Sequence, residues 1–190
     1  MTKPQLNSAF DSDEFLAQYW QKKPVLLSNL IPDFRDPLTP EELAGLACEE
    51  FVESRLVRED EKGKWQLRNG PFEENNFTEL PDTDWTLLVQ AVDQWVDEVA
   101  DLKTLFNFLP SWRIDDIMIS FAAPGGSVGP HYDYYDVFLL QGQGERNWQL
   151  GERCESNAKL VSGSDLSILQ DRSEEHTSEL QSHHDLVCRL

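Results

Sequence analysis

The sequence predicts a mainly β fold with α. An N-terminal helical and mixed portion spans 1–110, the start of a β-barrel follows over 111–171, and a tail over 172–190 belongs to neither. Three observations carry this. The texture changes after Pro110, where 114–122, 133–141 and 146–150 are short strand-like runs split by glycine-rich turns. Before Pro110 the apolar residues recur at helical spacing. The aromatic load, 10 Phe, 6 Trp and 4 Tyr in 190 residues, is enough to bury a core in one domain of ordinary size.

The elements follow in chain order. Phe15, Leu16, Tyr19 and Trp20 predict a short helix over 11–23 that Pro24 ends, and Val25, Leu26 and Leu27 read as a strand. A second helix lies within 37–50. Thr39 is its N-cap, Pro40 suits the first helical position, and Glu42 completes a capping box. Two strands, 51–57 and 64–67, flank the polar turn at Glu61, Lys62 and Gly63. The longest periodic stretch is 84–99, read as a helix. Trp85, Leu88, Val89, Val92, Trp95, Val96 and Val99 fall on one face, and Asp82 or Thr83 can cap it. Because that stripe is continuous, both tryptophans read as core rather than as a ligand platform.

The tail has no helical or strand period. It reads R-S-E-E-H-T-S-E-L-Q-S and then, after a short gap, D-L-V-C-R-L. Both flanks resemble, at the right spacing, the translation of a short-read sequencing adapter around its index. Residues 172–190 are therefore read as an artefactual tail and set aside from the fold. The tail holds His176, His183, His184 and Cys188, so His131 is the one histidine in 1–171.

Composition narrows the function classes. A net charge of −19 argues against direct contact with a nucleic-acid backbone and permits a basic protein partner, although a solvated acidic surface explains it equally. No apolar run reaches the ~18–20 residues of a membrane span. The first ten residues have no apolar signal-peptide core. Three widely spaced cysteines form neither a disulfide framework nor a zinc knuckle, so a reducing cytoplasm is the expected location.

The chemistry sits in 124–148. His131 and Asp133, two apart on an expected strand, share a face. Imidazole and carboxylate supply two of the three ligands of a facial iron(II) site with open positions. Alone, H-x-D equally describes a hydrogen-bonded histidine. The context adds a glycine-rich turn before His131, a hairpin turn at 142–144, and a lone cation, Arg146, on the next strand. Such a cation can grip a dicarboxylate in bidentate fashion; otherwise it is a surface charge. Tyr135 shares the His131 face if the strand stays regular, where barrel packing is its plainer role. Asp115, Asp116 and Asp136 are candidates to meet a substrate guanidinium, or are solvated strand ends. Gly125-Gly126 precedes no G-K-[ST], so it is not a phosphate loop. Ser120 and Ser127 lack triad partners.

Three runs carry a family resemblance. They are W-R-I-D-D-I-M-I-S-F over 112–121, P-G-G-x-V-G-P-H-x-D-x-Y-D-V-F over 124–138, and Q-G-x-G-x-R-x-W over 141–148. They resemble the JmjC-domain, cupin-like 2-oxoglutarate oxygenases, and more closely the bacterial ribosomal oxygenases. The N-terminal motifs Y-W-Q-K-K-P over 19–24, E-E-L-A-G-L-A over 41–47, K-W-Q over 64–66, G-P-F over 70–72 and D-Q-W over 93–95 resemble that subfamily too. The resemblance covers 1–171.

It implies a double-stranded β-helix (a jelly roll, or cupin), here truncated. His131 and Asp133 would be Fe(II) ligands and Arg146 would bind 2-oxoglutarate, with no side chain assigned as a catalytic acid or base. The implied activity is a cytoplasmic dioxygenase that converts 2-oxoglutarate and dioxygen to succinate. It would hydroxylate an arginine of a basic large-subunit (50S) ribosomal protein. It also implies a homodimer in the intact protein, no membrane and no direct nucleic-acid contact. The family's third ligand is a downstream histidine after a Pro/Gly turn, and no such turn precedes the tail. His183 lies in adapter-like sequence and is not taken as that ligand. With two of three ligands and an unfinished barrel, the chain as written is expected to bind iron weakly, turn over little and expose sheet edges. The alternatives are a non-catalytic cupin-like module that binds a basic protein, and a hydroxylase of another substrate.

Overall fold

The computed structural model describes residues 3–60, 63–151, 169, and the backbone of 178–182 and 186–189. Its elements begin with α1 (Ser12–Gln18), β1 (Val25–Leu27), α2 (Pro40–Leu46), β2 (Ser54–Glu59), β3 (Trp65–Asn69) and α3 (Glu74–Thr78). They continue with β4 (Trp85–Val89), α4 (Asp97–Leu102), β5 (Ile119–Ala122), β6 (Val137–Leu140), β7 (Arg146–Leu150), β8 (Ser178–Ser182) and β9 (Leu186–Arg189). They fall into two compact units. One holds Pro37–His131 with Leu169, and the other holds the first 36 residues, the segment from Tyr132, and β8 and β9.

The first unit is built on an antiparallel sheet of order β3-β2-β4-β5. β4 lies between two partners, with Leu56 opposite Leu87 on one side and Phe121 opposite Leu87 on the other. Thr86, Leu87 and Val89 are all but inaccessible to solvent. They pack in a core with Leu43, Ala47, Val52, Leu56, Phe72, Val92 and Val99. Burying each such aliphatic side chain contributes roughly 1.5–3 kcal/mol, so the sheet and the segments packed on it share the unit's apolar stabilisation. The buried Thr86 hydroxyl donates to the Ser127 carbonyl at 3.3 Å, which spares it an unsatisfied polar group.

The single helix expected over 84–99 is not present. Its first third is β4, a 3-10 turn covers Val92–Gln94, and only Asp97–Leu102 is α-helical. A strand buried on both faces loses its polar alternation and mimics part of a helical stripe. Positive φ values at Asp84 (66°) and Ala91 (52°) bend the chain at both ends of β4. Trp85 is packed against the core and donates from Nε1 to the Pro81 carbonyl at 2.6 Å. Trp95 is 48% exposed, so the core reading holds for one tryptophan and not for the other.

Two carboxylates fix the path from β4 to β5. Asp116 Oδ2 accepts from the Ala91 backbone N–H at 3.0 Å and from Gln90 Nε2 at 2.6 Å. Asp93 Oδ1 accepts from the Ile117 N–H at 2.7 Å, and its Oδ2 lies 2.5 Å from Lys103 Nζ. The Asp93 side chain is 6% exposed. Burial pushes its carboxyl pKa up, but the Lys103 hydrogen bond, the Ile117 N–H and the Lys103 charge outweigh burial and hold it below 3.8. Asp116 is thus a structural acceptor, and Asp115 offers its carbonyl to Lys103 Nζ at 2.8 Å. The Asp116 carboxylate is therefore engaged within the fold, while the Asp115 side chain is exposed.

The other elements follow local chemistry. The Thr39, Pro40 and Glu42 capping box forms as expected on α2. α1 begins at its Asp11 cap and stops at Gln18, short of Pro24, because Gln21 turns left-handed at φ 57°. β2 and β3 are the two strands expected about the turn at 61–63. In the second unit β9 lies between β1 and β6, and β7 pairs with β8. β8 and β9 occur where the sequence shows no strand period. Ladder pairing uses main-chain groups, and β1, β6 and β7 present N–H and C=O rows that any extended segment can satisfy.

Replacing Asp116 with Ala should lower unfolding free energy by about 1–3 kcal/mol, because the Ala91 N–H loses its acceptor. Urea unfolding measures this. Asp93 is the pH-sensitive member. Its folded pKa is depressed, so its contribution is present above pH 3.8 and fades as pH falls through the lowered value. Asp93→Asn should reduce stability at neutral pH and flatten its decline in acid. A variant whose acid slope equals wild type would contradict this.

Candidate metal and co-substrate site

The approach to His131 is pinned to β4. The Ala123 N–H donates to the Trp85 carbonyl at 3.0 Å, and the Asp84 N–H donates to the Pro124 carbonyl at 2.9 Å. Gly125 and Gly129 both have φ of 77°. A Cβ on Gly126 would collide with the Trp85 carbonyl oxygen. Gly125 and Gly126 thus permit a close approach to Asp84 and Trp85, at the start of β4.

His131 itself occupies a single β-bridge position and is half-buried. Next to it the Leu169 N–H donates to the Pro130 carbonyl at 2.7 Å. His131 Nδ1 lies 2.8 Å from the Gly129 carbonyl oxygen. A carbonyl only accepts, so Nδ1 carries the proton. In the neutral ring Nε2 then keeps its lone pair. This is the orientation seen in metal-ligating histidines, whose other ring N–H is held by a carbonyl or carboxylate.

The regular strand expected from Asp133 begins only at Val137, so residues 132–136 are irregular and the shared-face argument for His131, Asp133 and Tyr135 lapses. Asp133 is half-buried. Tyr134 and Tyr135 are 80% and 72% exposed, so Tyr135 is not packed in a barrel interior. Tyr132 and Tyr134 meet edge to face, their hydroxyls 3.0 Å apart. Asp136 Oδ2 accepts from Gln21 Nε2 at 2.9 Å, a contact across 115 positions that no sequence period announces. Ser127 Oγ accepts from the Gly129 N–H at 3.1 Å, a turn-forming role.

The turn at 142–144 is present, with Gly144 at φ 69° and Gly142 set against the Asp36 carboxylate. It does not close a two-stranded hairpin, since β6 and β7 pair with β9 and β8. Arg146 opens β7. Burial alternates along that strand, with Arg146, Trp148 and Leu150 on the more buried face. The guanidinium carbon sits 5.2 Å from the Trp148 ring centroid, and burial lowers its pKa. Arg146 is therefore a half-buried cation on the more buried face of its strand.

An imidazole nitrogen and a carboxylate, without thiolate, are donor types that suit Fe(II). Among the described residues, no three His, Cys, Asp or Glu side chains cluster as a complete metal set. His176, His183 and His184 lie outside the described residues. No described helix is long and apolar enough to cross a membrane.

Residues 101–186 match the JmjC domain family. The ribosomal protein uL16 3-hydroxylase of Escherichia coli (strain K12) is 53% identical over 142 residues, covering 75% of this chain and 37% of that protein. An X-ray structure of E. coli ycfD superposes with a TM-score of 0.88 at 44% identity, over 99% of this chain and 49% of the other. The structure of YcfD, a ribosomal oxygenase from Escherichia coli, in complex with cobalt and 2-oxoglutarate, gives a TM-score of 0.82 at 44% identity. It matches 98% of this chain and 46% of the other. The chain thus spans less than half the length of these relatives.

The His131 tautomer is open to measurement. Long-range proton–nitrogen correlation, assigned with a His131→Gln variant, should show Nδ1 protonated and Nε2 bare at alkaline pH. The reverse tautomer would remove Nε2 as a donor to metal.

Proposed function

We propose that the chain belongs to the JmjC-domain family, which its residues 101–186 match, and that it carries the iron- and 2-oxoglutarate-binding part of a ribosomal protein hydroxylase. The observation that carries the reading is the His131 ring, whose Nδ1 is committed to a backbone carbonyl. Support also comes from the relative named for uL16 3-hydroxylation and from the relative solved with cobalt and 2-oxoglutarate. The substrate we favour is an arginine on a basic large-subunit ribosomal protein, which the net charge of −19 would attract.

Each residue has a defined task. His131 Nε2 and the Asp133 carboxylate hold Fe(II). Bound Fe(II) supplies the activation of dioxygen, with 2-oxoglutarate as reductant. Arg146 receives the far carboxylate of 2-oxoglutarate through its planar fork. Trp148 covers the guanidinium, and burial strengthens that charge–charge contact by keeping water away. None of these side chains needs to take or give a proton. Their work is to bind and orient.

The test supplies the chain with Fe(II), 2-oxoglutarate and a peptide from a basic ribosomal protein. The expected outcome is metal-dependent 2-oxoglutarate binding, slow succinate release, and a gain of one oxygen atom on a peptide arginine. His131→Ala and Asp133→Ala should abolish metal-dependent binding. Arg146→Gln should weaken 2-oxoglutarate about 10- to 100-fold, the worth of a charge-assisted hydrogen bond. Peptide binding without metal-dependent 2-oxoglutarate binding would instead identify a non-catalytic module.

A further inference from the structure

The Y-W-Q-K-K-P motif at 19–24 has no part in the chemistry described so far. Yet its second and third residues grip the segment that follows Asp133. Trp20 stacks on Phe138, with ring centroids 5.5 Å apart and planes at 11°. Its neighbour Gln21 donates from Nε2 to Asp136 Oδ2 at 2.9 Å. Residues 136 and 138 are two apart, so one turn holds both through side chains of adjacent residues. Phe15, 2% exposed, braces the same Phe138 ring at 6.1 Å. Gln21 has φ of 57°, a left-handed backbone that a non-glycine residue adopts at a cost and keeps only where its surroundings require it.

What the turn grips is the end of the irregular part of the chain and the strand that follows it. Residues 132–136 have no ladder of their own, and β6 begins at Val137. Asp133 stands three residues before Asp136, inside that segment. An anchor at its end narrows the backbone states open to a ligand there, which spares ordering entropy that metal affinity would otherwise bear.

We propose that Gln21 is a positioning residue for the metal site: its carboxamide anchors Asp136 and so fixes the segment that presents Asp133. This rests on the reading of His131 and Asp133 as ligands. Trp20 supplies the packing and Gln21 the directional hydrogen bond.

The experiment uses the full chain and Co(II) as probe, followed by visible absorption, with thermal melting measured on the metal-free protein. Gln21→Ala should weaken Co(II) by roughly tenfold, the low end for groups that orient ligands, while the melting midpoint moves little. Gln21→Glu, which sets a carboxylate against Asp136, should weaken it further. Asp136→Ala leaves the left-handed turn intact and should match Gln21→Ala, and the double variant should be no worse than either. Asp136→Asn keeps an acceptor oxygen and should bind Co(II) as wild type does. Wild-type affinity in both Gln21→Ala and Asp136→Ala, with affinity lost in His131→Ala, would overturn the proposal alone. Retained affinity in His131→Ala would overturn the metal site itself, and the positioning role with it.

Discussion

The structure of the first unit depends on two acids tying one turn to one returning strand. Asp116 takes the Ala91 N–H and Asp93 takes the Ile117 N–H, while the Val92 N–H donates to the Ile117 carbonyl at 2.9 Å. Each carboxylate satisfies a main-chain donor on the opposite segment, so the link is reciprocal. It sets Val89 opposite Ile119, the first pair of the β4–β5 ladder. Everything downstream in that unit inherits the register: Phe121 opposite Leu87, the glycine turn on the Trp85 carbonyl, and His131 beyond it. The buried Asp93 is tolerable because Lys103 neutralises it and a backbone N–H solvates it.

The tight turn before His131 expresses the same economy. A glycine-rich stretch ahead of a candidate ligand invites the thought of a ligand cradle. Here the space is filled by protein, with Asp84 and Trp85 standing where side chains would go. The turn is closely packed, and the imidazole is oriented by the Gly129 carbonyl at its end. The orientation of the His131 ring thus comes from main-chain packing at one remove. The second unit uses aromatic packing instead. Phe15 and Trp20 converge on Phe138, and Arg146 lies against Trp148 on the inward face of β7.

Local signals were read well where the cause is local. The capping box of α2 involves residues three apart, and the β2–β3 pair follows from a polar turn between short strand-like runs. The stretch 84–99 mimics a helix for a reason of the same kind. Five residues buried on both sides display no alternation, and only the presence of β2 and β5 on either edge makes them a strand. Tyr135 leaves the face that strand periodicity predicts for it because the chain is irregular over 132–136.

The sequence by itself determined the chemistry: one histidine before the tail, a carboxylate two residues on, and an arginine in the next apolar run, embedded in motifs that identify the family. Those are covalent facts of residue type and spacing, which no fold alters. Tertiary structure alone decided what those residues can do. It committed His131 Nδ1 to a carbonyl, turned Arg146 inward, made Asp116 a backbone acceptor, and joined Gln21 to Asp136 across 115 positions. Hydrogen bonds and burial depend on which distant groups arrive at the same place, and periodicity along the chain carries no record of that.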